Sequence, residues 1–176
     1  MTVTTISTLD AILDLHRAEI GADFVPYRNH AFRIANLCLA GVPASPDTFE
    51  KVAVTAAFHD LGIWTDRTFD YLEPSVRAAT GWLAANGRSD WTAEIAEAIR
   101  QHHKVTAWRG GGLVEAFRRA DWADVTWGLV ANGLPRSVVR GLYGTWPDAG
   151  FHRLLVRLEL AHLRRHPLNP IPVLRW

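Results

Sequence analysis

Apolar residues recur every three to four positions along most of this chain, a spacing that predicts helices rather than strands. Ile6, Leu9, Ile12 and Leu13 share a face of a first helix over 7–20, with His16 continuing the stripe. Ser7 or Thr8 can cap that helix and Gly21 ends it. A second helix is expected over 26–39, stopping at Gly41, with His30, Ile34 and Leu37 on one side and Arg33 one turn from His30. Ser45 and Pro46 form a cap and first-position pair for a third helix. Phe49, Val52, Ala53, Ala56, Ala57 and Asp60 line one side of it, and it ends by delivering His59 and Asp60 together, ahead of Gly62.

A mixed loop over 63–71 follows, and Pro74 opens a fourth helix over 75–85, closed by Asn86 and Gly87. Ser89 or Asp90 caps a fifth over 91–103, which places His102 or His103 at its inward end. The sixth helix, over 113–127, carries Val114, Phe117, Asp121 and Val125 near one stripe. Two more are expected over 135–143 and 149–165; Pro167 stops the last, and the tail to Trp176 should run extended across the surface. No segment alternates as a strand and none repeats. The expectation is therefore an all-α, single compact multi-helix domain over 1–176, with the chemistry in 27–127 and the C-terminal helices and tail in 135–176.

Composition changes this picture little. With 176 residues, 48% hydrophobic and 21% charged, the chain can bury one sizeable core. A net charge of +1 is too balanced for a nucleic-acid polymer to be the main partner. All but Lys51 and Lys104 of the 19 basic residues are arginine, which suits bidentate anion binding. A lone cysteine, Cys38, excludes an intramolecular disulfide. With neither a basic-then-apolar leader nor an apolar run long enough to cross a bilayer, a cytoplasmic location without membrane contact is expected. Gly110, Gly111 and Gly112 lack the spacing and the preceding strand of a dinucleotide loop.

Four polar residues stand out on apolar stripes: His30, His59, Asp60 and Asp121. Each has a plain reading by itself: a satisfied core histidine, a polar helix end with Gly62 as a left-handed cap, or a carboxylate paired with Arg118 or Arg119. Together they are two imidazoles and two carboxylates on three inward-facing helices, where burial is costly without a partner. Such a set suits one divalent ion of Mn, Fe, Co, Ni, Zn or Mg, with positions left for water and substrate.

The order His…His-Asp…Asp on consecutive helices resembles the HD-domain superfamily of metal-dependent phosphohydrolases. The likeness runs from about Tyr27 to Trp127 and includes the small-residue approach to His59-Asp60 and the Arg-Arg-Ala-Asp context of Asp121. It implies that His30, His59, Asp60 and Asp121 are the metal ligands. The expected activity is hydrolysis of a small phosphorylated molecule, a phosphomonoester or nucleotide, by a metal-activated water. Arg33, Arg67 and Lys104 are candidates to steady developing charge, although each reads equally well as a surface cation. His102 and His103 are candidate general acids, His103 the preferred one. Trp64, Tyr71 or Trp108 could stack on a base.

Two departures from the family pattern matter. Some phosphatases of the superfamily carry a glutamate three residues after the His-Asp pair; here Ile63 stands there, and Asp66 or Glu73 would have to serve. The dinuclear branches use further histidines, but none lies between His59 and His102, and Glu73 and Ser75 occupy the region of the first. One ion per chain is the simpler expectation. The alternatives are an oxygenase or hydratase-like lyase on the same metal cage, or a non-catalytic domain stabilised by metal. A homodimer through the last helix and the tail stays open.

Overall fold

A computed structural model describes residues 2–131, 133–169 and 171–174. Among these residues the fold is all-α, with no β-strand. The helices are α1 (Ser7–Leu15), α2 (Arg17–Ile20), α3 (Phe24–Leu39), α4 (Pro46–Phe58), α5 (Gly62–Thr65) and α6 (Leu72–Ala85), then α7 (Thr92–Gln101), α8 (Gly112–Val125), α9 (Arg136–Thr145) and α10 (Phe151–Arg165). None is long and apolar enough to cross a membrane.

The long central helix α3 organises the rest. From Tyr27 to Cys38 all of its residues except Arg28 are buried, because α4, α8, α9 and α10 all pack against it. Ala53, Ala56 and Ala57 keep the facing side of α4 small enough for close approach, and the main core runs unbroken through α1, α3, α4, α6, α7 and α8. A smaller core of Ile63, Tyr71, Leu72 and Val173 ties the α5–α6 region to the tail.

The helix spacing is read correctly from the apolar pattern, with differences at the ends. The first expected helix is interrupted at His16, where the backbone tightens and His16 N–H reaches Leu13 O instead of continuing the i to i−4 ladder. Its N-cap position is Ile6, without a side-chain cap, so neither Ser7 nor Thr8 fills that role. Ser45 does cap α4, accepting from the Thr48 N–H, and Pro46 occupies the first turn. The tail reading over 166–176 includes Pro170, Arg175 and Trp176, which lie outside the described residues.

Gly62 is no left-handed cap. It opens α5 in helical conformation, and a Cβ there would lie 2.7 Å from both Pro74 Cβ and Tyr71 O. Its N–H donates to Ser75 Oγ. Glycine is needed for this close approach, which pins the His59-Asp60 turn against the start of α6.

Candidate metal centre

The end of α3's buried face, the last turn of α4, the turn after α7 and the middle of α8 meet at one point. They bring together His30, His59, Asp60, His102, His103 and Asp121. All are buried except His103, whose side chain is 17% exposed. His30 Nε2 lies 3.1 Å from His59 Nε2 and 3.6 Å from Asp121 Oδ1, and His59 Nε2 lies 3.2 Å from Asp60 Oδ2. Asp60 Oδ1 faces His102 Nε2 at 3.3 Å, and Asp121 Oδ2 faces His103 Nδ1 at 3.3 Å. Each carboxylate thus turns one oxygen to the His30–His59 pair and the other to the His102–His103 pair.

The other ring nitrogens decide the tautomers. His30 Nδ1–H donates to Asp124 Oδ2 at 2.7 Å, His59 Nδ1–H to Ala56 O at 2.9 Å and His102 Nδ1–H to Ile99 O at 2.6 Å. That leaves three Nε2 lone pairs directed into one dry space, with the rings already oriented. Two lone pairs 3.1 Å apart repel unless a proton or a metal ion lies between them. Two imidazole ligands at about 2.0–2.1 Å from one ion would be separated by about 2.9 Å across a right angle and about 3.4 Å across a tetrahedral one. The spacing fits. In addition, Asp60 Oδ1, His102 Nε2 and both Asp121 oxygens are buried with no hydrogen-bond partner among the described residues. Orphaned acceptors of this kind are costly unless an ion satisfies them. The residues present therefore suit a divalent metal.

Charge balance points the same way. Burial pushes the His30 pKa below its usual value, and it drives His102 down to about 4 with His103 adding to the push. Burial acts in that direction on His59 too, but the charge and hydrogen bond of Asp60 outweigh it and raise the group. For Asp60 and Asp121 burial favours the neutral acid, yet the surrounding imidazoles prevail and hold both below the usual carboxylate range. Ionised carboxylates beside the neutral imidazoles of His30 and His102 form a cation-accepting set.

A second layer holds His30. Arg33 grips Asp124 with two bonds, Nε to Oδ1 at 2.6 Å and Nη2 to Oδ2 at 2.8 Å, while its Nη1 donates to Trp146 O. Tyr143 Oη donates to Asp124 O, and Phe151 stacks on the His30 ring with centroids 3.9 Å apart. Despite its burial, Asp124 stays ionised, because the His30 hydrogen bond and the Arg33 pair depress its pKa. The carboxylate–histidine unit is of the kind that orients ligating imidazoles.

Of the sequence-based candidates, His30, His59, Asp60, Asp121, His102 and His103 converge. Arg118 pairs with Glu115, and neither it nor Arg119 pairs with Asp121, whose oxygens have no hydrogen-bond partner among the described residues. Arg33 is placed close but spends its charge on Asp124, fully buried, and presents none to a ligand. Glu73 sits on the surface in a bidentate pair with Arg100, away from the cluster. Arg67 lies on an exposed loop, and Lys104 follows His103 and offers its carbonyl to Arg118 and Trp122. Trp64 packs on Tyr27 and Trp108 anchors its N–H on Glu115. Tyr71 is buried, its hydroxyl 2.7 Å from His103 Nε2, and burial followed by the nearby Asp60 and Asp121 charges keeps that hydroxyl protonated.

Sequence reasoning missed Asp124 and the Tyr71–His103 contact. Asp124 lies one turn beyond Asp121, as Arg33 lies one turn beyond His30, and these two parallel spacings on facing helices are the signal that was available. No family model, no curated protein and no solved structure matches this chain.

Proposed function

We propose that this chain is an HD-type, metal-dependent hydrolase of a small phosphorylated molecule, with His30, His59, Asp60 and Asp121 holding one divalent ion. The observation that carries the reading is the convergence of three imidazoles, each pinned through Nδ1, on two buried carboxylates, three of whose four oxygens have no hydrogen-bond partner among the described residues. A bound divalent ion supplies Lewis acidity that polarises a phosphoryl oxygen and acidifies water. The chain's own groups do the rest. Asp124 and Arg33 keep His30 in its Nε2-ligand tautomer and fix the ring plane. His103, the member of the cluster that reaches solvent, moves a proton at Nε2, with the Tyr71 hydroxyl as partner. Tyr71, Phe117 and Phe151 shield the imidazoles from water, which strengthens every charge interaction inside.

A second reading, two ions and an oxygenase or hydratase reaction, draws on the way Asp60 and Asp121 each turn an oxygen to His102 or His103. The two readings separate by experiment. Metal-reconstituted protein should release phosphate from phosphomonoesters or nucleotides. His103→Ala should lower kcat by about 10²–10⁴-fold while metal content stays at the wild-type level. Metal-loaded protein that turns over no phosphate ester but consumes dioxygen or hydrates a substrate would replace the first reading with the second.

A further inference from the structure

Beyond the centre, a cavity of about 480 Å³ opens between the α5–α6 loop and the C-terminal part of α10 with its tail. That volume lies within the range of about 300–1,000 Å³ usual for small-molecule sites. None of the six clustered residues lines it. Ile63, Leu158 and Pro172 contribute apolar surface, and Phe69 contacts the His162 ring, which stacks in turn on His166. Arg67 and Arg165 stand at the same cavity, against a single carboxylate, Asp70. Neither guanidinium has an ion-pair or hydrogen-bond partner among the described residues.

Arg67 has φ of +52°, the left-handed region that disfavours any side chain, and the loop holds it there with no glycine to relieve the strain. Arg165 complements the dipole at the end of α10, but Arg67 has no such role. Arginine forks bind carboxylate and phosphate oxygens in pairs, a dianionic phosphate most strongly, and a neighbouring aromatic wall prefers a flat apolar body.

We propose that this cavity is a binding site for a phosphorylated small molecule with an aromatic or apolar body. Arg67 and Arg165 take its phosphate, and the Phe69–His162 wall takes its body. The site is distinct from the metal centre and does not need the ion. Contact between the two is structural: Ile63 N–H bonds Asp60 O, and Phe69 packs edge-on against Tyr71, which holds His103.

The test is calorimetric titration of phenyl phosphate, the smallest molecule with both features, into the full chain after chelator treatment, which also prevents turnover. One saturable site per chain is expected. The Arg67→Ala/Arg165→Ala double variant, altered only at exposed positions, should bind at least about tenfold more weakly, as loss of charged hydrogen bonds requires. Asp121→Ala, which removes a metal ligand, should leave phenyl phosphate affinity within about twofold, a difference far smaller than one lost contact. Inorganic phosphate should bind at least about tenfold more weakly than phenyl phosphate, since it lacks the body that the wall receives. Absence of saturable binding, or equal binding by the double variant, would overturn the site. Loss of binding in Asp121→Ala would assign the ligand to the metal centre instead, and equal affinity for inorganic phosphate would overturn the role of the wall. A protein that fails to bind metal yet passes these tests would sink the proposed hydrolase and leave this cavity standing.

Discussion

In the centre, between α3, α4 and α8, the His30, His59 and His102 rings are each fixed through Nδ1 by a partner that is itself held in place. At the end of α10, Arg67 and Arg165 face a cavity with no partner among the described residues. The difference follows from burial. An unpaired charge in the interior is costly, so the chain must supply a second layer such as Asp124 and Arg33. At the surface water solvates a free guanidinium at little cost, and no scaffold is required. Preorganisation is therefore built into the centre, whereas the cavity presents charge that a ligand would order.

The largest effect expected from perturbing this contrast is at the ligands. Asp60→Ala and Asp121→Ala should each weaken metal binding by more than the about 10–100-fold typical of outer-layer changes, read by competition with a chromophoric chelator. Retained affinity in either would break the assignment of the centre.

Next comes the second layer. Asp124→Leu leaves Arg33 buried and unpaired and should cost about 3–5 kcal/mol in chemical denaturation. Arg33→Met added to Asp124→Leu should restore most of that stability, because no uncompensated charge remains. Metal affinity should stay about 10–100-fold below wild type in the double variant, since His30 Nδ1 has lost its acceptor. Full recovery of metal binding would show that Asp124 serves the fold alone.

Packing around the His59-Asp60 turn gives a smaller change. Gly62→Ala must displace both Pro74 and the Tyr71 carbonyl, each 2.7 Å from the new methyl, at a cost of about 1–3 kcal/mol. Thermal denaturation would register it, and an unchanged midpoint would show that α6 can shift freely.

Acidity provides a milder probe of metal-free protein. His30 and His102 have folded pKa values below their unfolded value of about 6.5, so the unfolded chain binds more protons as pH falls below that point. Stability should drop between pH 6.5 and about 4, the lower bound set by His102. His59 is raised, so its contribution is present below pH of about 6.5 and is lost as pH rises through its folded value. The metal-free fold should thus be most stable near neutrality to slightly acid pH, and a stability curve rising steadily toward pH 4 would contradict these shifts. At the surface, Glu73→Ala should change stability by no more than about 1 kcal/mol and leave metal affinity untouched, as befits an exposed pair with Arg100.

The same physical asymmetry explains what the sequence disclosed. His30, His59, Asp60 and Asp121 were legible because a polar residue on an apolar stripe is conspicuous, and the long helices followed from the same stripes, whereas the short α2 and α5 did not. Asp124 was not singled out, because its place one turn beyond Asp121 gains meaning only once α3 and α8 are known to face each other. The break at His16 and the glycine-dependent contact at Gly62 depend on packing that no local pattern encodes. Arg67 and Arg165 look like any solvated cations until the tail and the α5–α6 loop bring them to one cavity.

The measurement that bears most directly on the centre is metal content by mass spectrometry on protein purified without chelator or oxygen, beside Asp60→Ala. One divalent ion per wild-type chain, lost in the variant, is the predicted result. Wild-type protein that neither retains an ion nor takes one up on reconstitution would contradict it.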